Sequence, residues 1–348
     1  MKSSEAVRVA LIGTGGIGKL HARLWRETPG AELVGVYDLA PAVAREVAEK
    51  LGIKRVYRSL EEAVGDETAD AVDVCTPNRA HTPVVLAALG AGKHCLCEKP
   101  LAATAAEIEQ IIAARDRSGR ILMTAQHLRF EERTVALKRL VDAGELGDIY
   151  YTRAWWLRRR LAPTTPGFLT RAQAVRGPGL DIGVHALDLA LHFLGHPQPA
   201  SVTGFAVCKL AHQQEIANQW GAYRGEDFEV EDLAAGFVRF RNGAALVLEV
   251  SWLLNQTEPE SYSVWLHGTA GGARWPDLML NSVRAGLLLD TRIVSNTGTD
   301  GHKNELAAFR DAVRCNGPSP VPAEQSLAVA RILDALYTSA ETGREVRL

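Results

Sequence analysis

An apolar run ending in spaced glycines restricts this chain more than any other feature. Residues 7–12 read Val-Arg-Val-Ala-Leu-Ile, and residues 13–18 read Gly-Thr-Gly-Gly-Ile-Gly. A strand buried on both faces reads as a nearly continuous apolar run rather than an alternating one. Gly13 permits a tight turn, Gly15 lets the backbone come close to a ligand, and Gly18 lets the next helix pack on the strand. The N-terminus of that helix, predicted over residues 16–27, attracts phosphate through its open N–H groups and its dipole. A second strand, over 32–38, ends in Asp38, twenty residues beyond Gly18. An acid there can accept from ribose hydroxyls and repel a 2′-phosphate. Gly13, Thr14, Gly15, Gly16, Ile17, Gly18 and Asp38 are therefore expected to hold a dinucleotide, NAD in preference to NADP. The plainer alternative is a glycine-rich turn with no ligand.

Strand and helix go on alternating. Pro41 opens a second helix, where its missing N–H costs nothing. Strands follow at 70–76, 94–98 and 121–125, with helices at 84–91 and from Thr104, which forms a capping box with Glu107, to about 118. This predicts a doubly wound parallel sheet, a Rossmann domain over residues 1–124. The pattern then changes. Helices are expected at 134–143 and 181–194, and strands at 149–157, 201–210, 233–240, 244–254, 262–267 and 287–294. Asn242-Gly243 marks a hairpin turn between two of these strands. Helices at 304–314 and 323–341 close the chain. The expected fold class is α/β: the N-terminal Rossmann sheet, then an α+β domain over 125–348 built on a large, open, mostly antiparallel sheet. Residues 162–179, rich in proline, threonine and glycine, read as a long loop.

At 348 residues the chain exceeds one ordinary domain. A net charge of −2 without a basic stripe argues against nucleic acid as a partner, and no apolar run is long enough to span a membrane. Residues 1–5 lead into the first strand without the apolar core of a signal peptide. The five cysteines are odd in number and irregular in spacing. They predict buried thiols in a reducing, cytoplasmic setting, with no metal site.

Three further segments carry chemistry. Thr76-Pro77-Asn78 ends a strand at the crevice edge, where Asn78 and His81 either touch ribose and nicotinamide or simply form a turn and a helix cap. Glu98-Lys99-Pro100 puts a lysine at another strand end. Its ammonium can stabilise charge developing on a reacting oxygen, and Pro100 is a candidate for a cis bond; a surface lysine is the alternative. Asp181, His185, Asp188 and His192 fall on one helical stripe. That stripe reads as an acid–base pair, as a chelating site, or as a capped helix with packed histidines. Trp155, Trp156, Tyr151, Arg129, Gln126, His127 and His302 suit sugar faces and hydroxyls, although aromatics in strands more commonly pack a core.

With Gly13–Gly18, Glu98-Lys99-Pro100 and Asp181-x-Gly183-x-His185-x-x-Asp188 in place, the chain resembles the Gfo/Idh/MocA oxidoreductases, a family of inositol and sugar dehydrogenases. The resemblance extends over nearly the whole chain, including residues 126–130. It implies Lys99, Asp181 and His185 as the catalytic set, with His185 taking a hydroxyl proton, Lys99 polarising the oxygen and Asp181 orienting the substrate. It implies that Gly13–Gly18, Asp38, Thr76, Pro77, Asn78, His81, Glu98, Lys99 and Gln126 contact NAD. Lys99, Arg129, Trp156, Asp181, His185 and His302 would contact a carbohydrate or polyol. It also implies a homodimer or homotetramer joined through the open sheet. Gly177-Pro178-Gly179 departs from the family's three consecutive glycines, and His192 lies outside the family pattern. Two rivals stand beside this reading: glycoside cleavage by transient oxidation, which keeps the same machinery, and a non-catalytic sugar or cofactor sensor, against which Lys99, Asp181 and His185 argue.

Overall fold

The computed structural model describes residues 6–213, 217–295 and 300–348; the lead at residues 1–5 lies outside them. Strands β1 (Val7–Ile12), β2 (Ala31–Tyr37), β3 (Arg55–Val56), β4 (Ala71–Val74), β5 (His94–Cys97) and β6 (Leu122–Thr124) form one sheet. Their order is β3-β2-β1-β4-β5-β6, and all neighbours run parallel. Helices α1 (Gly16–Glu27), α2 (Pro41–Leu51), α3 (Leu60–Val64), α4 (Asn78–Gly90) and α5 (Ala105–Ser118) alternate with the strands. Val9, Ala10, Leu11, Val72, Val74 and Leu96 are buried, which explains why these strands read as unbroken apolar runs. Pro41 is the first residue of α2, and the Thr104–Glu107 capping box makes both of its hydrogen bonds. The strand order reverses between β1 and β4, so the C-terminal ends of those two strands frame the crevice in which such sheets bind ligands.

The remaining elements are α6 (Glu132–Asp142), β7 (Ile149–Arg158), α7 (Pro166–Leu169), α8 (Arg171–Ala174), α9 (Val184–Leu194), β8 (Pro199–Val207), β9 (Leu233–Phe240), β10 (Ala245–Ser251), β11 (Glu260–Gly268), β12 (Gly271–Trp275), β13 (Met279–Arg284), β14 (Leu287–Arg292), α10 (Gly301–Cys315), α11 (Ala323–Thr342) and β15 (Val346–Arg347). The nine strands run β14-β13-β12-β11-β7-β10-β9-β8-β15. Every pair is antiparallel except β7 and β10. Alternation along the strands sorts the two faces. Ala154, Leu246, Leu248, Val250 and Val238 are buried on the face that carries α9. The other face is open. On it Trp155 meets Trp265 edge-on at 5.3 Å, Tyr151 stacks on His267, and Arg153 pairs with Glu249.

Packing divides the chain into two units: Met1–His127 with Asp300–Leu327, and Leu128–Thr299 with Ala328–Leu348. A single boundary at residue 124 lacks the return of α10 to the first unit. There Phe309 meets Trp25 edge-on at 6.4 Å, and Arg310 Nη1 donates to the Pro29 carbonyl at 2.5 Å. Helical periodicity shows which face of α10 is apolar but not which surface will cover it. Strands β3, β12, β13 and β15 were not anticipated. Two have only two residues, β12 opens with two glycines, and β13 is largely exposed. No described helix is long and apolar enough to cross a membrane.

Candidate active site

The glycine turn is shaped by close backbone approach. Gly13 has φ +92°, and a Cβ there would stand 2.6 Å from the Cys75 carbonyl oxygen. A Cβ on Gly18 would stand 2.1 Å from the Gly13 carbonyl oxygen, so α1 can pack this tightly only on glycine. At Gly15 and Gly16 nothing lies within 4 Å of the Cβ position, and no side chain caps α1. The first-turn N–H groups, with Ile17 among their residues, are left for a ligand's phosphates. Asp38, just past β2, accepts from the Thr14 N–H at 2.7 Å and the Thr14 hydroxyl at 3.0 Å. Thr14 therefore orients the acid that follows β2. Thr76 Oγ1, at the end of β4, is buried without a hydrogen-bond partner among the described residues. An open cradle, an oriented acid and an orphan hydroxyl fit a dinucleotide.

His81 departs from the expectation of ligand contact. It is buried, with Nδ1 2.7 Å from the Pro100 carbonyl and Nε2 2.7 Å from the Thr76 carbonyl. Both ring nitrogens face backbone, so His81 ties the two crevice loops together. Pro77 caps α4 and Asn78 is its first residue. The Lys99–Pro100 bond is cis.

Behind Lys99 lies a buried polar network that sequence reading missed. Glu98 Oε2 accepts from the Lys99 N–H at 3.0 Å, and Oε1 lies 3.1 Å from His21 Nε2. His21 Nδ1 lies 2.9 Å from Asp73 Oδ2, which also accepts from Trp25 Nε1 at 2.7 Å. Burial opposes charge on His21, but Cys75 and Asp73 outweigh it and hold the ring well above its ordinary value. Burial pushes the Cys75 thiol itself up, so Asp73 carries that effect. Burial also opposes ionisation of Glu98, but His21 and Lys99 hold its carboxyl below the usual range. Burial and the Glu98 charge push Glu305 well up; neither Glu305 carboxyl oxygen has a hydrogen-bond partner among the described residues, and Gln126 is itself buried. His302 stacks on His127 at 3.9 Å, and burial lowers both. His302, expected at the substrate, thus belongs with Glu98 in the first unit. The donor atoms of His21, Asp73 and Cys75 lie within 4.8 Å of one another, but the short spacings are those of hydrogen bonds.

In the second unit, the lead into α9 is built around Glu231. Its Oε1 accepts from the Gly177 N–H at 2.9 Å, the Gly179 N–H at 3.4 Å and the Tyr337 hydroxyl at 2.5 Å. A Cβ on Gly179 would stand 2.0 Å from Tyr337 Oη. Pro178, at φ −58° and ψ −27°, leads into a π-helical turn, Gly179–Gly183, so the departure from three glycines fits a helical start. The wider turn changes the register ahead of α9, and the expected single stripe has four separate sets of neighbours. Asp181 Oδ2 accepts from Trp252 Nε1 at 3.1 Å. The ring of His185, only 7% exposed, lies 6.1 Å from that of Trp156. Asp188 takes the Arg129 guanidinium in a fork, at 2.7 and 2.6 Å. His192 sits 6.4 Å from His196, and burial lowers it to about 3.

Arg129 therefore differs from its expected role at the substrate. Its fork is engaged by Asp188, with both side chains buried, and it anchors the helix that carries His185. Trp156 does face α9, donating to Glu260 Oε1 at 2.7 Å and stacking on Tyr262 at 5.0 Å. Trp155 and Tyr151 lie on the open face instead. Sequence reading also passed over Trp252, Glu231 and Tyr337. The available signals were weak: an acid inside the apolar strand at Asp73, and the pair Glu231-Asp232 ahead of β9.

A parallel 3-2-1-4-5-6 sheet, a glycine turn under a helix N-terminus and an acid at the next strand end define a Rossmann dinucleotide-binding protein. Residues 7–126 match the family model described as oxidoreductase family, NAD-binding Rossmann fold, and residues 134–274 match the GFO/IDH/MocA C-terminal domain. The chain is 33% identical over 347 residues to D-glucoside 3-dehydrogenase of Escherichia coli K12, covering 99% of each chain. It is 30% identical over 344 residues to D-xylose 1-dehydrogenase (NADP(+)) 2 of Haloferax volcanii, covering 97% of this chain and 98% of that one. The crystal structure of GenD2 from gentamicin A biosynthesis in complex with NAD aligns with a TM-score of 0.82 at 26% identity, over 100% of this chain and 98% of that one. The chain belongs to the Gfo/Idh/MocA family of oxidoreductases and carries its NAD-binding Rossmann domain.

Proposed function

We propose that this enzyme is an NAD-dependent dehydrogenase that oxidises a secondary hydroxyl of a sugar, inositol, polyol or glycoside. The observation that carries the reading is that His185 lies beside Trp156 and Asp181 is held by Trp252. An acid and an imidazole against indole rings suit a ligand with hydroxyls on an apolar carbon frame. The likeness to a D-glucoside 3-dehydrogenase and a D-xylose 1-dehydrogenase supports the substrate class.

In this reading Lys99 donates to the reacting oxygen, His185 accepts the hydroxyl proton, and Asp181 accepts from a neighbouring hydroxyl to set the ring. Bound NAD supplies the hydride acceptor. The carbon loses hydride, the oxygen loses its proton to His185, and a carbonyl remains. Gly13–Gly18, Asp38 and Thr76 hold the dinucleotide, with Pro77, Asn78, Glu98 and Gln126 flanking it. The test is NADH absorbance with purified protein, NAD and a panel of inositols, aldoses, polyols and glycosides. Net NADH with one class supports the dehydrogenase and names that class. NAD binding with no net NADH on any sugar sinks it in favour of transient oxidation or sensing.

Cofactor choice follows from the Asp38 carboxylate, which repels a 2′-phosphate. Asp38→Ser combined with Leu39→Arg, the latter at a position 86% exposed, should raise the ratio of NADP to NAD kcat/KM. The expected change is about ten- to hundredfold, or ~1.4–2.8 kcal/mol. An unmoved ratio would place the ribose elsewhere.

The open sheet face supports assembly into a dimer or tetramer: it carries Phe205, 56% exposed, and the Trp155–Trp265 pair. The free cysteines suit a reducing compartment such as the cytoplasm.

A further inference from the structure

Trp220 is a half-exposed indole in a loop, 50% exposed, yet it is held in place. Asn218 pairs with the backbone of Ala162 in both directions, at 2.9 Å each, and the Gln219 N–H donates to the Arg160 carbonyl at 2.9 Å. These bonds set Trp220 over the end of β7. There the guanidinium carbon of Arg158 lies 4.6 Å from the Trp220 ring centroid and 5.7 Å from that of Trp156. Arg158 Nε and Trp156 Nε1 both donate to Glu260 Oε1, at 2.6 and 2.7 Å. The shared carboxylate offsets the cation and fixes both planar groups.

A row of planar groups thus leads from His185 to Trp156, Arg158 and Trp220, in steps of 6.1, 5.7 and 4.6 Å. Each step is comparable to one sugar ring, so Trp220 lies within three such steps of His185. Arg158 lies over the Trp220 indole, and half of the residue's surface stays exposed. A flat apolar ring can stack on an exposed indole, and the cation beneath is itself attracted to the ring's π system. Nothing in the proposed hydride transfer calls for this indole.

We infer that Trp220 is a second recognition subsite, taking the aglycone or second ring of a glycoside whose oxidised ring lies at Asp181 and His185. This rests on the sugar dehydrogenase reading above and narrows it to substrates larger than one ring.

Methyl and phenyl D-glucosides, in both anomers, differ only in the group that would reach Trp220. Trp220→Ala should lower the ratio of phenyl to methyl glucoside kcat/KM by about tenfold, carried by KM rather than kcat. Trp220→Phe should retain most of the ratio. Titration of both glucosides onto the NADH-loaded protein should show the same loss in affinity without depending on turnover. Three results would overturn the inference. One is an equal loss for both glucosides. Another is no change in either. The third is a drop in the assembly mass of Trp220→Ala with the ratio intact, which would make Trp220 an interface residue. If the wild-type enzyme oxidises an inositol but neither turns over nor binds a glucoside, the subsite fails while the dehydrogenase reading stands. If it binds phenyl glucoside more tightly than methyl glucoside, loses that preference in Trp220→Ala, and never makes NADH, the subsite stands and the dehydrogenase reading fails.

Discussion

Lys99→Ala is expected to lower turnover by about a hundred- to thousandfold, the range seen when one preorganised donor to a developing oxyanion is removed. NAD affinity should stay nearly unchanged. The contrast follows from where the groups sit. In the proposed reading the dinucleotide is gripped by the Gly13–Gly18 turn and by Asp38, which Thr14 orients. Lys99 follows β5, with its backbone N–H held by Glu98. The lysine main chain is fixed by groups the substitution leaves in place, so the variant loses an ammonium rather than a loop. An ammonium that strengthens its bond only as charge develops on oxygen affects kcat and kcat/KM together. Steady-state rates with the best sugar of the panel, beside a fluorescence titration of NADH, separate the two quantities. Full activity in the variant would remove Lys99 from the chemistry.

Arg129→Ala is expected to destabilise the protein by about 3–5 kcal/mol, the cost of breaking a buried pair and leaving one charge behind. The Asp188 side chain is 2% exposed and the Arg129 side chain 4%. Their fork sits under α9, a helix apolar on nearly every face, so no water replaces the lost guanidinium. The check is the urea midpoint of unfolding, with Asp188→Asn in the same background. Asparagine removes the stranded charge and should recover part of the loss. An unchanged midpoint in Arg129→Ala would mean that the pair is more hydrated than its burial implies.

Much of the first unit was legible because its signals are local. Parallel strands buried on both faces must be continuous apolar runs, and the glycine at 18 is required by the Gly13 carbonyl five residues away, whereas Gly13 itself answers to the Cys75 backbone at the end of β4. The capping box at Thr104 is local too. The second unit was less legible. The order of its nine strands, with β7 parallel to β10, follows from long-range pairing that no turn signal records. The strands β12 and β13 were hidden by glycines and by exposure.

The candidate site divides the same way. Motif spacing brought out Asp38 and the glycine turn and made Lys99, Asp181 and His185 candidates beside plainer readings, and the family resemblance then singled out those three. Partner choice was not available from spacing. Asp181, His185, Asp188 and His192 look equivalent on a helical wheel, yet one meets Trp252, one Trp156, one Arg129 and one His196. His81 and Arg129 read as ligand contacts until burial placed one on two carbonyls and the other on a carboxylate. The amino-acid sequence by itself determined the element types, the Rossmann class and the residue types the chemistry requires. Only the tertiary structure decided which polar groups are engaged with one another and which remain for a ligand, because burial makes each polar group find a partner and that partner can come from anywhere in the chain.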